Sequence, residues 1–128
     1  LVLGIDLGGS SIKAGAVRPG TGELDSELAS VPTPQPATPE AVGSALRTLA
    51  ARFPAARGPV GFAFPAVVVH GKARTAANVD RGWLGTDGAA LVAAATGRPG
   101  CFLNDADAAG LAEMRLGAGR GERGTVLM

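Results

Sequence analysis

With 128 residues, 46% of them hydrophobic, the chain has the length and apolar content of one folded unit around one core. Its 12 basic and 11 acidic residues nearly cancel, so it carries no broad field of the kind that holds nucleic acid or an anionic membrane surface, and any anion must be bound locally. The lone cysteine, Cys101, excludes an internal disulfide. No stretch reads as a signal peptide or as an apolar run able to span a bilayer, which points to a soluble cytoplasmic protein.

Leu1 to Leu7 is an apolar, strand-like run closed by Gly8-Gly9, and Ile12 to Val17 resumes with small and branched residues before the turn signal Pro19-Gly20-Thr21-Gly22, so the two pair as a hairpin. Glu23 to Val31 alternates well enough for a third strand. Pro32 to Pro39 carries four prolines, which exclude helix and central strand and leave an extended connection. From Pro39, placed to open a helix, Val42, Ala45, Leu46 and Leu49 recur at helical spacing until Pro54.

Val60 to Phe64 is a short buried strand ended by Pro65, and Val67 to Val69 reads as a further short one. Lys72 to Gly85 has no clear period and reads as a long loop, a feature that in compact domains is usually functional. Asp87 to Thr96 is an Ala-rich helix, Cys101 to Leu103 a strand, Ala106 to Leu116 a helix ended by Gly117, and Thr125 to Met128 the start of one more strand. Both ends read as interior to a longer chain. Strands alternating with helices predict an α/β sheet covered on both faces, with ligands at the carboxyl ends of its strands.

Two motifs fall at such ends. In Asp6-Leu7-Gly8-Gly9-Ser10-Ser11-Ile12-Lys13 an acid ends a buried strand, and two glycines let the backbone turn sharply and bring its N–H groups close to an anion. Asp6 would repel a bare phosphate, so a phosphate-facing turn requires a divalent cation or its water shell between them; an ordinary hairpin turn is the equal alternative for this motif alone. Lys13, by spacing alone, is a solvated strand residue.

The second motif is Asn104-Asp105-Ala106-Asp107, directly after a strand and at the first turn of a helix. Either Asn104 or Asp105 would serve as a helix cap. Capping needs one such residue, however, and a carboxylate beside an amide suits sugar hydroxyls, the acid accepting and the amide both donating and accepting. The long loop adds Thr75, Asn78, Asp80 and Trp83, which either line a polar cleft with an apolar wall or, for Trp83, pack beneath the loop as core. His70, the sole histidine, has no cluster with which to share a metal.

Gly119-Arg120-Gly121-Glu122-Arg123-Gly124 matches Gly-x-Gly-x-x-Gly, but it follows a helix and precedes a strand, the reverse of the dinucleotide-binding context, and reads as a loop. No Gly-x-x-x-x-Gly-Lys-Ser/Thr occurs, which excludes a Walker-type site on this chain.

Asp6 to Lys13 resembles the first phosphate motif of the repressor, open reading frame and kinase (ROK) family of sugar kinases, and Leu103 to Gly110 resembles its sugar-binding and catalytic-base motif. Arg74 to Asp80 with Trp83, and Ala108 to Arg115 with Gly117-Ala118-Gly119, are similar to the polyphosphate glucokinase branch of that family. The resemblance implies a ribonuclease H-like domain of the actin-like ATPase superfamily, an α/β fold with a mixed sheet flanked by helices, with residues 1–128 forming the N-terminal sugar kinase domain and a donor-binding half following Met128.

It further implies phosphoryl transfer from polyphosphate or ATP to the 6-hydroxyl of glucose, with Asp105 as base. Asn104, Asp105 and Asn78 would bind the sugar. Gly8, Gly9, Ser10, Ser11 and Lys13 would face the phosphate, and Asp6 would hold hydrated Mg²⁺. The complete protein would be a cytoplasmic homodimer with neither nucleic acid nor membrane as partner. The alternatives within the family are an ATP-dependent kinase for another hexose and a non-catalytic sugar-sensing regulator.

Overall fold

The computed structural model describes residues 1–76 and 79–123. Strands β1 (Val2–Leu7), β2 (Ser11–Val17) and β3 (Ala29–Pro32) form an antiparallel meander, and β4 (Val60–Phe64) and β7 (Gly100–Asn104) add in parallel on the other side of β1. The sheet order is β3-β2-β1-β4-β7. A parallel pair needs a crossover, and helices α1 (Pro39–Ala50) and α2 (Gly88–Thr96) supply the two that this order requires. Helix α3 (Asp105–Leu116) follows β7 without a connecting residue.

Alternation along the strands sends Leu3, Ile5 and Leu7 of β1, Ile12, Ala14 and Ala16 of β2, Val60, Phe62 and Phe64 of β4, and Phe102 of β7 to one face. There they meet Val42, Leu46 and Leu49 of α1 and Val92 of α2, all fully buried. Each such side chain contributes about 1.5–3 kcal/mol on leaving water, so this face holds most of the stability of the fold. Helix α1 begins because Thr38 caps it, its Oγ1 accepting from Ala41 N at 3.2 Å, with Pro39 in the first turn. It ends at Ala50, short of Pro54.

The opposite face carries Gly4 and Asp6, Lys13, Gly15 and Val17, Gly61 and Ala63, and Cys101 and Leu103 around a concavity of about 450 Å³. Among the described residues, its borders are Leu24 and Leu28 of the β2–β3 connection and Ala108 of α3, and α3 has no buried residue. Helices therefore lie on both faces, but unequally.

Two expectations need adjustment. The third strand is Ala29–Pro32 rather than 23–31, because residues 23–28 leave the ladder after the Val17–Leu24 bridge and bring Leu24 and Leu28 over Gly15. The long loop is more ordered than its sequence implies: β5 (Val68–Val69) pairs with β6 (Lys72–Ala73), and a short 3-10 turn spans Arg81–Trp83. His70 and Gly71, both at positive φ, make the tight turn of that hairpin. The strand expected at 125–128 lies outside the described residues.

Candidate active site

The Gly8–Ser11 turn forms at the carboxyl end of β1 because the hairpin closes tightly there: Gly8 N donates to Ser11 O at 3.0 Å. A Cβ at Gly8 would lie 2.8 Å from the Ser11 carbonyl oxygen, so no other residue fits. At Gly9, by contrast, a Cβ would meet nothing within 4 Å among the described residues. None of the hydrogen bonds among the described residues uses the N–H of Gly9 or Ser10, and both residues are exposed. The turn thus ties its carbonyls inward and leaves two donors facing out.

Asn104 ends β7 and caps α3. Its Oδ1 accepts from Ala106 N at 2.9 Å and from Asp107 N at 3.1 Å, and its Nδ2 donates to Ala66 O at 2.9 Å. Its other Nδ2 hydrogen has no partner among the described residues. The choice between Asn104 and Asp105 as cap therefore falls to Asn104, and Asp105 is released from that task as the first residue of the helix. Its Oδ1 accepts from Ala106 N at 2.8 Å, and its other oxygen has no partner among the described residues. A carboxylate here is exposed and placed at the positive end of α3.

Asp6 and Asp105 line one open concavity of about 510 Å³, walled by Ala63, Ala106, Ala108 and Ala109. They come from strand ends separated by β4, and small side chains between them leave the space free. Gly8 and Gly9 line a second cleft of about 630 Å³ with Thr33, Gln35, Pro65, Val79 and Asp80. Lys13 pairs with Asp6 in the β1–β2 register and stands on the open sheet face, away from the Gly8–Gly9 cleft.

Among the described residues, no three His, Cys, Asp or Glu side chains gather into a metal cluster. A hydrated Mg²⁺ needs no such cluster, since it is commonly held by one or two carboxylates together with phosphate oxygens and waters.

Trp83 is no cleft wall. It is fully buried, its Nε1 donates to Ala37 O at 2.8 Å, and its ring packs against Phe64 at 4.5 Å and Phe102 at 6.2 Å. Of its loop companions, Thr75 Oγ1 accepts from Val67 N at 3.0 Å, and Asp80 caps the 3-10 turn, Oδ1 accepting from Gly82 N at 2.7 Å. Asn78 lies outside the described residues. Sequence reasoning missed Thr33, whose Oγ1 donates to Gly8 O at 2.7 Å; the only signal it offered was a polar residue in a proline-rich connection.

The mixed sheet with its flanking helices is that of the actin-like ATPase fold as the ROK sugar kinases have it, and the chain belongs to the ROK family, whose profile matches residues 2–128. A curated relative, the polyphosphate glucokinase of Mycobacterium tuberculosis (strain ATCC 25618 / H37Rv), is 48% identical over 126 residues, covering 98% of this chain and 47% of the relative. Among solved structures, the inorganic polyphosphate/ATP-glucomannokinase from Arthrobacter sp. strain KM superposes with a TM-score of 0.89 at 52% identity, over 98% of this chain and 52% of that one.

A ROK family glucokinase from Streptomyces griseus, solved in complex with glucose and AMPPNP, gives a TM-score of 0.80 at 31% identity, over 94% of this chain and 38% of that one. The chain thus spans about half the length of the curated relatives it matches. Among the described residues no helix is long and apolar enough to cross a membrane.

Proposed function

We propose that this chain forms the N-terminal, sugar-binding half of a glucokinase that transfers a phosphoryl group from polyphosphate or ATP to the 6-hydroxyl of glucose. The observation that carries the reading is the shared concavity of Asp6 and Asp105, beside a glycine turn whose free N–H groups face outward. The similar proteins named above point the same way in substrate and donor.

In this reading the glucose 6-hydroxyl lies against the unpartnered oxygen of Asp105. As the hydroxyl oxygen bonds to the terminal phosphorus, its proton passes to that carboxylate and the bond from phosphorus to the donor's bridging oxygen breaks. The products are a phosphorylated sugar and a donor one phosphate shorter. Little covalent chemistry is asked of the protein, so position and charge carry the rate.

The remaining Nδ2 hydrogen of Asn104 donates to a sugar hydroxyl, and Asn78 adds a second amide. Asp6 would hold hydrated Mg²⁺, which neutralises phosphate charge. Gly8, Gly9, Ser10 and Ser11 face the transferring group. Among the described residues a Cβ at Gly9 would meet nothing within 4 Å, which leaves room there for the close approach of a bound group. Lys13, on the sheet face beside Asp6, reaches the phosphate only as a distant positive charge. The complete protein is a homodimer working in the cytoplasm.

The test is Asp105→Asn in the full-length protein. The amide keeps the shape and a hydrogen bond but takes no proton, and a general base is worth about 100- to 10,000-fold, so turnover should fall by at least that lower bound while glucose affinity changes little. A folded variant keeping more than about a tenth of turnover at saturating glucose and donor would remove Asp105 as base. Competition between polyphosphate and ATP in the same assay identifies the preferred donor.

A further inference from the structure

Thr33 follows β3, outside every motif that marks the site, yet it is the one polar residue among the described residues that is buried with the core. A hydroxyl withdrawn from water needs a partner within the chain. Thr33 Oγ1 donates to Gly8 O at 2.7 Å, and Thr33 N donates to Ser10 O at 3.0 Å. With Gly8 N bonded to Ser11 O, three carbonyls of the four-residue turn are tied, two of them by Thr33 alone.

Peptide planes are rigid, so fixing a carbonyl also fixes the N–H on the far side of the same plane. The Gly8 carbonyl shares its plane with Gly9 N–H, and that N–H is one of the two free donors. We propose that Thr33 is a positioning residue for phosphoryl transfer: by holding the Gly8 carbonyl inward it aims the Gly9 N–H at the donor phosphate, and by holding the Ser10 carbonyl it steadies the chain on the far side of the Ser10 N–H. This rests on the phosphate role given to the turn above. The Ser10 donor depends on the same device one step removed, because Thr33 N holds the following plane.

A backbone donor pair works only if it is aimed before the charge arrives, since the rate falls steeply with small displacements. Thr33→Val keeps the branched shape and the backbone N–H but loses the hydroxyl, and Thr33→Ser keeps the hydroxyl. In the full-length protein, hydrogen exchange at Gly8 and Thr33, whose N–H groups bond to Ser11 O and Ser10 O, should quicken in the valine variant and stay near wild type in the serine variant.

The kinetics should divide accordingly. We expect kcat/KM for polyphosphate to fall roughly ten- to a hundredfold in Thr33→Val, with KM for glucose within about twofold and Thr33→Ser within about threefold of wild type. Should the valine variant not fold, Thr33→Ala, which sets no methyl against the Gly8 carbonyl, serves the same comparison.

Unchanged exchange in the valine or alanine variant overturns the proposal, as does a serine variant impaired as deeply as either. Faster exchange with unchanged donor kinetics also overturns it, since the turn would then not serve the donor. Failure of the kinase reading looks different: Asp105→Asn would keep its turnover, or no donor would be used, whatever Thr33 does to the turn.

Discussion

Asn104→Ala should cost the fold more than it costs the sugar site. Oδ1 satisfies the N–H groups of Ala106 and Asp107, and loss of such a cap costs about 0.5–2 kcal/mol. Nδ2 satisfies the carbonyl of Ala66, a residue only 6% exposed, and an orphaned buried acceptor costs about 1–3 kcal/mol. Together these make a loss of about 1.5–5 kcal/mol, large against the roughly 5–15 kcal/mol that holds a domain folded.

Asn104→Ser separates the two contributions, because serine caps nearly as well as asparagine but cannot reach Ala66. The serine variant should recover the cap share, about 1 kcal/mol, in urea unfolding of the full-length protein at unchanged m-value. Glucose affinity, carried by one remaining N–H, should fall by only about 1 kcal/mol, roughly fivefold, by calorimetry. A serine variant as stable as wild type would show the Ala66 bond to be worthless. An alanine variant no worse than serine would do the same for the cap, and the account of how β7 hands over to α3 would fail.

Asp6→Ala should lower turnover with glucose affinity nearly unchanged, because Asp6 is assigned to the metal and phosphate; a large loss of glucose binding in titration would contradict that. Gly88→Ala should destabilise the fold although alanine favours helix by about 1 kcal/mol, because the added Cβ would lie 2.2–2.5 Å from the Phe102 ring. Phe102 is hemmed in by Phe64 at 5.0 Å and Phe62 at 5.6 Å and cannot retreat. Overpacking of about 1–3 kcal/mol then outweighs propensity, and a urea midpoint at or above wild type would refute it.

The elements legible in the sequence are those whose signal is local. Pro39 with the Val42, Leu46 and Leu49 spacing specifies α1 unaided, and Gly8-Gly9 after an apolar run specifies the β1–β2 turn. The signals that misled are those decided by tertiary contact. Glu23 to Leu28 alternates like a strand, but past the Val17–Leu24 bridge it leaves the ladder and its leucines lie beside Gly15. Trp83 sits in a loop by sequence, and only the closure of that loop against Ala37, Phe64 and Phe102 makes it core. Thr33 was illegible for the same reason: its partner Gly8 is 25 residues away, and nothing near it in sequence marks it as polar for a purpose.

The two capping readings at the second motif were undecidable from sequence because both residues can cap, and the fold decides between them by geometry. Asn104 is drawn onto the α3 amides because its Nδ2 can also reach Ala66 O, a bond a carboxylate cannot donate. That arrangement has a chemical consequence. An aspartate serving as the cap would spend its oxygens on helix N–H groups. With the amide in that role, Asp105 keeps one oxygen unpartnered among the described residues, facing the concavity it shares with Asp6. Under the proposed function the order asparagine then aspartate divides the labour: the amide holds the helix start, and the acid keeps an oxygen for a sugar hydroxyl. Exchanging the two residues would keep the composition of the motif and still place the carboxylate on the cap, where it would serve the helix rather than the sugar.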